Sequence, residues 1–252
     1  MVLQAQEGRL TTSAARILVA TAVPAERDAV ALAFPDGTPE EVRLPGSALL
    51  LRTAVGYDLL AAGVGPALAA AGTATALTAA ALDGEPYALV VSAGIAGGFQ
   101  PEAPVGSLVV ADGITAADLG AETADGFLPV TELGFGTVSH HPPNSLVRVT
   151  AQATGARPGA VLTVSTVTGT AARAAQLRTR HPGALAEAME GFGVAEAAAA
   201  HGVPVLELRA VSNPVGPRDR AAWRIGDALA ALTEAFGKLV PALESWNPHD
   251  HR

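Results

Sequence analysis

Short runs of apolar residues alternate with longer alanine-rich stretches from Arg16 onward. A short apolar, β-branched run indicates a buried strand, and a longer run with a period near 3.6 residues indicates a helix. The pattern predicts strands at 16–23, 48–54, 88–94, 106–111, 160–166 and 203–211, and helices at 24–34, 66–82, 171–180, 190–200 and 220–242. This alternation is typical of helices packed around a largely parallel sheet, so we predict an α/β fold.

Three segments fall outside the alternation. Residues 1–15 are polar and have no period, so we expect a disordered or non-native leader, and we expect residues 247–252 to form a loose tail. The region 112–145 is rich in Gly, Pro, Asp and Thr, which predicts a long excursion that builds a pocket wall or an interface. The remaining residues, 16–246, are predicted to form one domain, because 252 residues with 49% hydrophobic composition bury a full core.

Composition and charge narrow the classes of partner. The net charge is −8, and the 16 basic residues are scattered, which argues against nucleic acid because phosphate binding needs a concentrated basic surface. The chain has no cysteine, and His140 and His141 lack a partner at ligand spacing, so we predict no metal site. No apolar stretch approaches about 18 residues and no secretion signal is recognisable. We therefore expect a cytoplasmic protein that binds a small molecule and no membrane.

Asn213 follows the predicted strand 203–211 directly. In open α/β sheets, ligands bind in the crevice beyond the carboxyl ends of the strands. An amide at this place can face a purine edge, and the carboxylate of Glu190, one helix upstream, can face a sugar. Two other interpretations stay open: Asn213 as a turn residue before Pro214, and Glu190 as a solvated helix residue.

Glu26 lies in the first turn of the helix predicted at 24–34, where Pro24 suits the first helical position. The positive end of the helix favours the ionised carboxylate, which suits a base that activates water. An ordinary acidic residue at a helix N-terminus is the alternative. The glycine-bearing segments 62–65 and 92–98 can bring backbone close to a ligand or form tight turns only. The second lacks the G-x-G-x-x-G spacing, so we predict no dinucleotide cofactor.

Taken in order, these segments resemble the purine nucleosidase and nucleoside phosphorylase superfamily over residues 16–242. The resemblance rests on Glu26, Gly63–Gly65, Ala93–Gly98 with Val105–Asp112, Ala188–Glu190 and Leu208–Asn213. The chain is similar to the 5′-methylthioadenosine/S-adenosylhomocysteine nucleosidases, and more closely similar to the futalosine hydrolases through 164–170 and 212–219. The resemblance implies a three-layer sandwich with a central mixed, largely parallel twisted sheet flanked by helices, no cofactor, and a homo-oligomer, either a dimer or larger.

The resemblance also implies roles for individual residues. Glu26 matches the general base, and Glu190 matches the glutamate that binds ribose, with Met189 packed against the sugar. Further substrate contacts are expected from Val64, Ala96, Gly97, Gly169 and Thr170. The nucleosidases commonly carry a second glutamate at the place of Ala188, so this position departs from the pattern. Asp118 is expected to line the far end of the pocket, either in its own subunit or in a neighbouring one.

The amide of Asn213 indicates which class of purine base the site would bind. The adenine-specific nucleosidases carry an aspartate at the matching place. The NH₂ group of Asn213 can donate to a 6-oxo group while its carbonyl accepts the N7 proton, which suits hypoxanthine or guanine. An ionised aspartate facing O6 would set acceptor against acceptor, at a cost of about 1 to 3 kcal/mol. We therefore predict that Asn213 helps a 6-oxopurine to leave.

Water is the expected nucleophile, because residues 21–25 and 92–98 contain no arginine that would hold phosphate. Arg27 and Arg52 leave phosphorolysis as a weaker alternative. The prediction is hydrolysis of the N-ribosidic bond of futalosine, which releases hypoxanthine and dehypoxanthinyl futalosine on the futalosine route to menaquinone. The alternatives are a methylthioadenosine-type nucleosidase, a 6-oxopurine nucleoside phosphorylase and a non-catalytic nucleoside-binding protein. Arg218 and Asp219 are expected to form a surface ion pair.

Overall fold

The computed structural model describes residues 16–35, 37–244 and 246. The leader predicted at 1–15 and the tail predicted at 247–252 lie outside them, and the single domain at 16–246 stays a prediction. The strands are β1 Arg16–Thr21, β2 Glu40–Arg43, β3 Leu49–Arg52, β4 Tyr57–Ala61, β5 Tyr87–Gly98, β6 Leu108–Ala116, β7 Gly120–Thr123, β8 Gly126–Pro129, β9 Ser139–His140, β10 Arg157–Thr163, β11 Ala184–Ala188 and β12 Val205–Pro214. The helices are α1 Pro24–Ala31, α2 Pro66–Leu82, α3 Asn144–Thr154, α4 Ala171–Arg180, α5 Gly191–Ala200 and α6 Ile225–Glu244.

Ten strands form one mixed sheet in the order β11-β10-β6-β12-β5-β1-β4-β3-β2, with β9 added beside β6. The central strand β5 runs parallel to β1 and β12, and β10 runs parallel to β6 and β11. An additional antiparallel pairing of β11 with β5 closes one end of the sheet on itself. This closure brings the end of β11 beside the ends of β5 and β12.

Helices cover both faces of the sheet. One buried cluster joins α2 and α5 to one face, through residues such as Leu77 and Val194. A second cluster joins α1, α3 and α6 to the other face, through residues such as Val30, Leu146 and Phe236. The predicted three-layer α/β sandwich with a mixed, largely parallel sheet is confirmed. No helix of the described part of the chain is long and apolar enough to cross a membrane.

The region 112–145 is more regular than the predicted excursion. β6 continues through Ala116, a two-stranded hairpin of β7 and β8 follows, and α3 begins at Asn144. Outside this region, the strands β2, β4 and β11 and the 3₁₀ turn at Pro45–Ser47 were not predicted either. The helix predicted at 220–242 begins at Ile225, because a short 3₁₀ turn at Arg220–Ala222 precedes it.

The strand ends near the glycines also differ from the prediction. β5 continues through the glycine-bearing segment to Gly98, so this segment forms the end of a strand and not a tight turn. β12 likewise continues to Pro214, and Asn213 pairs with Gly97 inside the sheet instead of following the strand. The helix predicted at 190–200 begins at Gly191, and Glu190 is the residue that caps it.

Candidate active site

A cavity of about 510 Å³ opens beyond the ends of β1, β5, β11 and β12. Seven of the predicted site residues line it: Glu26, Val64, Ala96, Gly97, Met189, Glu190 and Asn213. Gly169 and Thr170 follow the lining residues Val167 and Thr168 along the chain. Thr170 caps α4 by accepting a hydrogen bond from the backbone N–H of Arg173. The sheet topology therefore brings the three principal candidates, Glu26, Glu190 and Asn213, to one cavity.

Glu26 is held at the N-terminus of α1 by three backbone donors. Its Oε2 accepts hydrogen bonds from the N–H groups of Ala22 (2.9 Å) and Val23 (3.4 Å), and its Oε1 accepts one from Ile95 (2.9 Å). The side chain is 4% exposed. Burial raises the pKa of Glu26, while the nearby charge of Arg209 and the backbone donors oppose that rise. The result is a fixed carboxylate with an enhanced affinity for a proton.

Arg209 is the buried cation next to the carboxylates of Glu207, Glu190 and Glu26. It is fully buried in β12, where its Nε donates to Oε1 of Glu207 (2.8 Å) and its Nη2 donates to Oγ of Ser92 (3.0 Å). Its Nη1 lies 3.5 Å from Oε2 of Glu190. Burial opposes the guanidinium charge, but the surrounding carboxylates hold the pKa of Arg209 above its usual value. The arginine therefore acts as the common counter-ion of the site.

Gly94 makes room for this arrangement. A Cβ atom at position 94 would lie 2.6 Å from Oε1 of Glu26 and 2.8 Å from Nη1 of Arg209. Real Cβ atoms do not approach other atoms so closely, so the glycine lets the carboxylate and the guanidinium converge over β5. Arg209 was not among the predicted site residues. The sequence does contain a signal for it, because Glu207 and Arg209 are two residues apart, and therefore on one face, in a stretch, 205–211, whose other residues are apolar.

Glu190, at the N-terminus of α5, is hydrogen-bonded to the N-terminus of α2 at the cavity wall. Its Oε1 accepts a hydrogen bond from the N–H of Gly65, which caps α2, at 3.1 Å. Its Oε2 accepts one from the N–H of Met189 at 3.3 Å. The side chain of Glu190 is buried, and Met189 lines the cavity beside it. The carboxylate keeps free lone pairs for the hydroxyl groups of a sugar.

Asn213 is oriented by its sequence neighbours. Its Oδ1 accepts a hydrogen bond from Oγ of Ser212 (2.8 Å), and its Nδ2 donates to the carbonyl of Pro214 (3.0 Å). Among the described residues, the remaining N–H and the remaining oxygen lone pair of the amide have no hydrogen-bond partner. A Cβ atom on the paired residue Gly97 would lie 3.3 Å from Nδ2, so the glycine leaves space beside the amide.

Glu187 is a lining residue that sequence analysis missed. It is buried in β11, where its Oε1 accepts from the N–H of Thr168 (2.8 Å) and its Oε2 accepts from the hydroxyl of Thr168 (2.5 Å). Burial raises the pKa of Glu187, and the two Thr168 donors oppose that rise. The available signal was a single carboxylate inside the short run Ala184–Ala188, in which every other residue is apolar.

The structure places Asp118 away from this cavity, contrary to the expectation that it lines the far end of the pocket in its own subunit, and it places Arg218 among the lining residues. Asp118 accepts a hydrogen bond from the N–H of Ser165 (2.7 Å) and lines a separate cavity with Arg173 and Arg180. Arg218 lies over the ring of Trp223, with 5.5 Å between its Cζ and the ring centroid. Asp219, the expected ion-pair partner, caps the following turn by accepting from the N–H of Ala221 (3.1 Å). No group of three or more metal-ligating side chains occurs among the described residues.

Known proteins are similar to this chain over most of its length. The phosphorylase superfamily matches residues 16–243. A futalosine hydrolase of Streptomyces coelicolor is 81% identical over 235 residues, which cover 93% of this chain and 99% of that protein. A futalosine hydrolase of Acidothermus cellulolyticus is 49% identical over 230 residues, which cover 89% of this chain and 90% of that protein.

Solved structures show the same fold at low identity. The native structure of futalosine hydrolase from Helicobacter pylori has a TM-score of 0.77 at 17% identity, covering 90% of this chain and 98% of that one. The 5′-methylthioadenosine/S-adenosylhomocysteine nucleosidase of the same organism also has a TM-score of 0.77 at 17% identity, covering 91% of this chain and 99% of that one. Because both activities occur on this fold, the fold alone does not choose between them.

Proposed function

Because the chain belongs to the phosphorylase superfamily and, within it, to the futalosine hydrolases, we propose that it hydrolyses the N-ribosidic bond of futalosine to hypoxanthine and dehypoxanthinyl futalosine. The observation that carries the proposal is the convergence of Glu26, Glu190 and Asn213 on one cavity. Breaking this bond needs a nucleophile, a grip on the sugar, and stabilisation of the charge that leaves with the base. Each of the three residues supplies one of these requirements.

Glu26 is the general base in this proposal. Its Oε2 accepts from the N–H groups of Ala22 and Val23, whereas its Oε1 accepts only from that of Ile95 among the described residues, so Oε1 keeps a lone pair that can accept a proton from water. Burial raises the pKa of this carboxylate and makes it a stronger base than an exposed glutamate, while the charge of Arg209 favours the ionised form. Water is therefore deprotonated as it attacks the anomeric carbon, the bond from that carbon to the base breaks, and the proton that Glu26 takes from water is balanced by the proton that hypoxanthine gains as it leaves.

Glu190 holds the ribose. Its carboxylate faces the cavity between Gly65 and Met189, and it accepts hydrogen bonds from the two vicinal hydroxyl groups. Met189 supplies an apolar contact to the sugar. Positioning the ring this way places the anomeric carbon within reach of the activated water, and correct positioning alone lowers the barrier substantially.

Hydrolysis fits the site better than phosphorolysis. The buried Arg209 is already neutralised by Glu207, and Glu190 and Glu26 add two further carboxylates around it. A phosphate ion placed beside these groups would be repelled. Arg218 and Arg220 are the arginines that line the cavity in the described part of the chain, and both are exposed. Their positive charge suits the carboxylate of futalosine, which methylthioadenosine lacks.

The test is a substrate panel with chromatography of the products. Futalosine, 5′-methylthioadenosine and inosine are each incubated with the protein in phosphate-free buffer. We expect rapid release of hypoxanthine from futalosine and little release of adenine from methylthioadenosine. Faster turnover of methylthioadenosine would support the nucleosidase alternative, and binding of futalosine without turnover would support the non-catalytic alternative.

Asn213→Asp is expected to lower kcat/KM for futalosine by about tenfold or more. The ionised aspartate would face the O6 acceptor of the base and the carbonyl of Pro214, to which Nδ2 now donates. The measurement is kcat/KM for futalosine and for methylthioadenosine with wild-type and variant protein. An equal loss on both substrates, or no loss on futalosine, would show that Asn213 does not recognise the 6-oxo group.

Two further expectations belong to the proposal. A homo-oligomer is supported by the exposed apolar side chains of Val64, which lines the cavity, and of Leu68, in the first turn of α2. The proposed location is the cytoplasm.

A further inference from the structure

Glu187 and Asn213 flank the same glycine on the cavity floor. Gly97 in β5 pairs with Glu187 in β11 on one side and with Asn213 in β12 on the other. Residues that pair directly across a sheet direct their side chains to the same face. Neighbouring strands are about 4.8 Å apart, which places the backbones of Glu187 and Asn213 roughly 10 Å apart. The two polar residues therefore lie on either side of Gly97, and the side chain of Val215 lies above the glycine, where a Cβ atom would be 3.0 Å from its Cγ2.

The carboxylate of Glu187 is fixed but not saturated. Thr168 supplies one donor to each carboxylate oxygen, through its backbone N–H and its hydroxyl. Among the described residues, no other hydrogen bond to this carboxylate is found, although the side chain is only 3% exposed. An ionised carboxylate has about four acceptor positions, so two stay available. Both Glu187 and Thr168 line the cavity, so the free positions can meet a ligand there.

Purines differ at the atoms that this pair of residues would face. A 6-oxopurine presents the acceptor O6 next to the donor N1–H, whereas adenine presents the donor 6-NH₂ next to the acceptor N1. An amide can donate to O6, and a carboxylate can only accept. The pair Asn213 and Glu187 is therefore complementary to the edge of a 6-oxopurine, and the carboxylate opposes N1 of adenine.

We propose that Glu187 recognises the N1–H group of a 6-oxopurine and so determines base specificity together with Asn213. This inference rests on the proposed function, because it assigns a second contact to the same leaving group. Thr168 is a positioning residue in this scheme, since it orients the carboxylate through its hydroxyl and its N–H. A purely structural role for Glu187, which would only anchor the segment before α4, is the competing explanation.

Glu187→Gln separates the two explanations through a ratio of affinities. Glutamine keeps an oxygen that can accept from the N–H of Thr168. Its NH₂ group, however, would oppose the N1–H donor of hypoxanthine and could donate a hydrogen bond to N1 of adenine. We expect the hypoxanthine-to-adenine affinity ratio, measured by calorimetry, to fall about tenfold or more relative to wild type. Glu41→Gln, an exposed substitution in β2, serves as the matched control and is expected to leave the ratio unchanged.

An unchanged affinity ratio in Glu187→Gln would overturn the inference, because the loss of a purely structural residue weakens the binding of both bases equally. If this variant does not fold, Thr168→Val and Thr168→Ser provide the same test from the other partner. The valine variant lacks the hydroxyl donor, so its hypoxanthine-to-adenine affinity ratio is expected to fall. The serine variant keeps the hydroxyl and is expected to keep the wild-type ratio. Equal ratios in the two variants would also overturn the inference. Failure of the proposed function would appear separately, as wild-type protein that releases no hypoxanthine from futalosine.

Discussion

Glu26→Gln is expected to lower kcat for futalosine about 10²- to 10⁴-fold, the usual contribution of a general base. Glutamine has nearly the same shape, but its amide cannot accept a proton from water. Its NH₂ group also faces one of the backbone donors, Ala22 or Ile95, that now bind the carboxylate. The measurement is kcat together with hypoxanthine affinity. Asp28→Asn, an exposed neighbour on α1, is the matched control and should retain wild-type kcat.

The pH dependence of the wild-type protein provides a second measurement for the same residue. Burial raises the pKa of Glu26 above the ordinary value of 4.5. Because the ionised form is the active base, activity is present above the raised pKa and is lost as the pH falls through it. We expect the acidic limb of kcat/KM to lie above pH 4.5. A retained acidic limb and near-normal kcat in Glu26→Gln would contradict the assignment.

Arg209→Met is expected to lower the free energy of unfolding by about 3 to 5 kcal/mol, because it leaves Glu207 buried without its counter-ion. Both side chains are fully buried and joined at 2.8 Å. Replacing the pair together, Arg209→Met with Glu207→Leu, should regain part of this loss, since apolar side chains of similar volume substitute for a buried ion pair at little cost. Denaturant unfolding measures all three proteins.

Arg224→Met is the matched control for this experiment. Arg224 forms an exposed ion pair with Asp227, and such pairs contribute about 0 to 1 kcal/mol. A single variant Arg209→Met as stable as this control would contradict the role of Arg209 as the buried counter-ion. The double variant is also expected to stay poorly active, because Glu26 and Glu190 lose the positive charge that both face.

The fold class followed from patterns that are local in sequence. The predicted helix 66–82 and the predicted helix 171–180 agree with α2 and α4 residue for residue, because long alanine-rich runs with clear boundaries define them. β11 was missed, since Glu187 interrupts a run of only five residues. The end of β5 was interpreted as a turn, because glycines usually break strands, whereas here Gly94 and Gly97 leave room for Glu26 and Asn213.

The candidate site was partly predictable for a similar reason. Glu26, Glu190 and Asn213 stand in recognisable short motifs, so their order along the chain identified them. The contacts of Arg209 and Glu187 depend on distant partners, such as Ser92 for Arg209. No local pattern specifies which strands become neighbours, and the closure of β11 onto β5 was not foreseen. Residues whose role depends on that closure could be recognised only in the folded chain.

The nucleophile is identified most directly by following its oxygen atom into the products. Futalosine is hydrolysed in ¹⁸O-enriched water, with and without added phosphate, and the products are analysed by mass spectrometry. We expect one ¹⁸O atom on the anomeric carbon of dehypoxanthinyl futalosine, hypoxanthine as the released base, and a rate independent of phosphate. Formation of a sugar 1-phosphate, or turnover only when phosphate is added, would contradict this expectation.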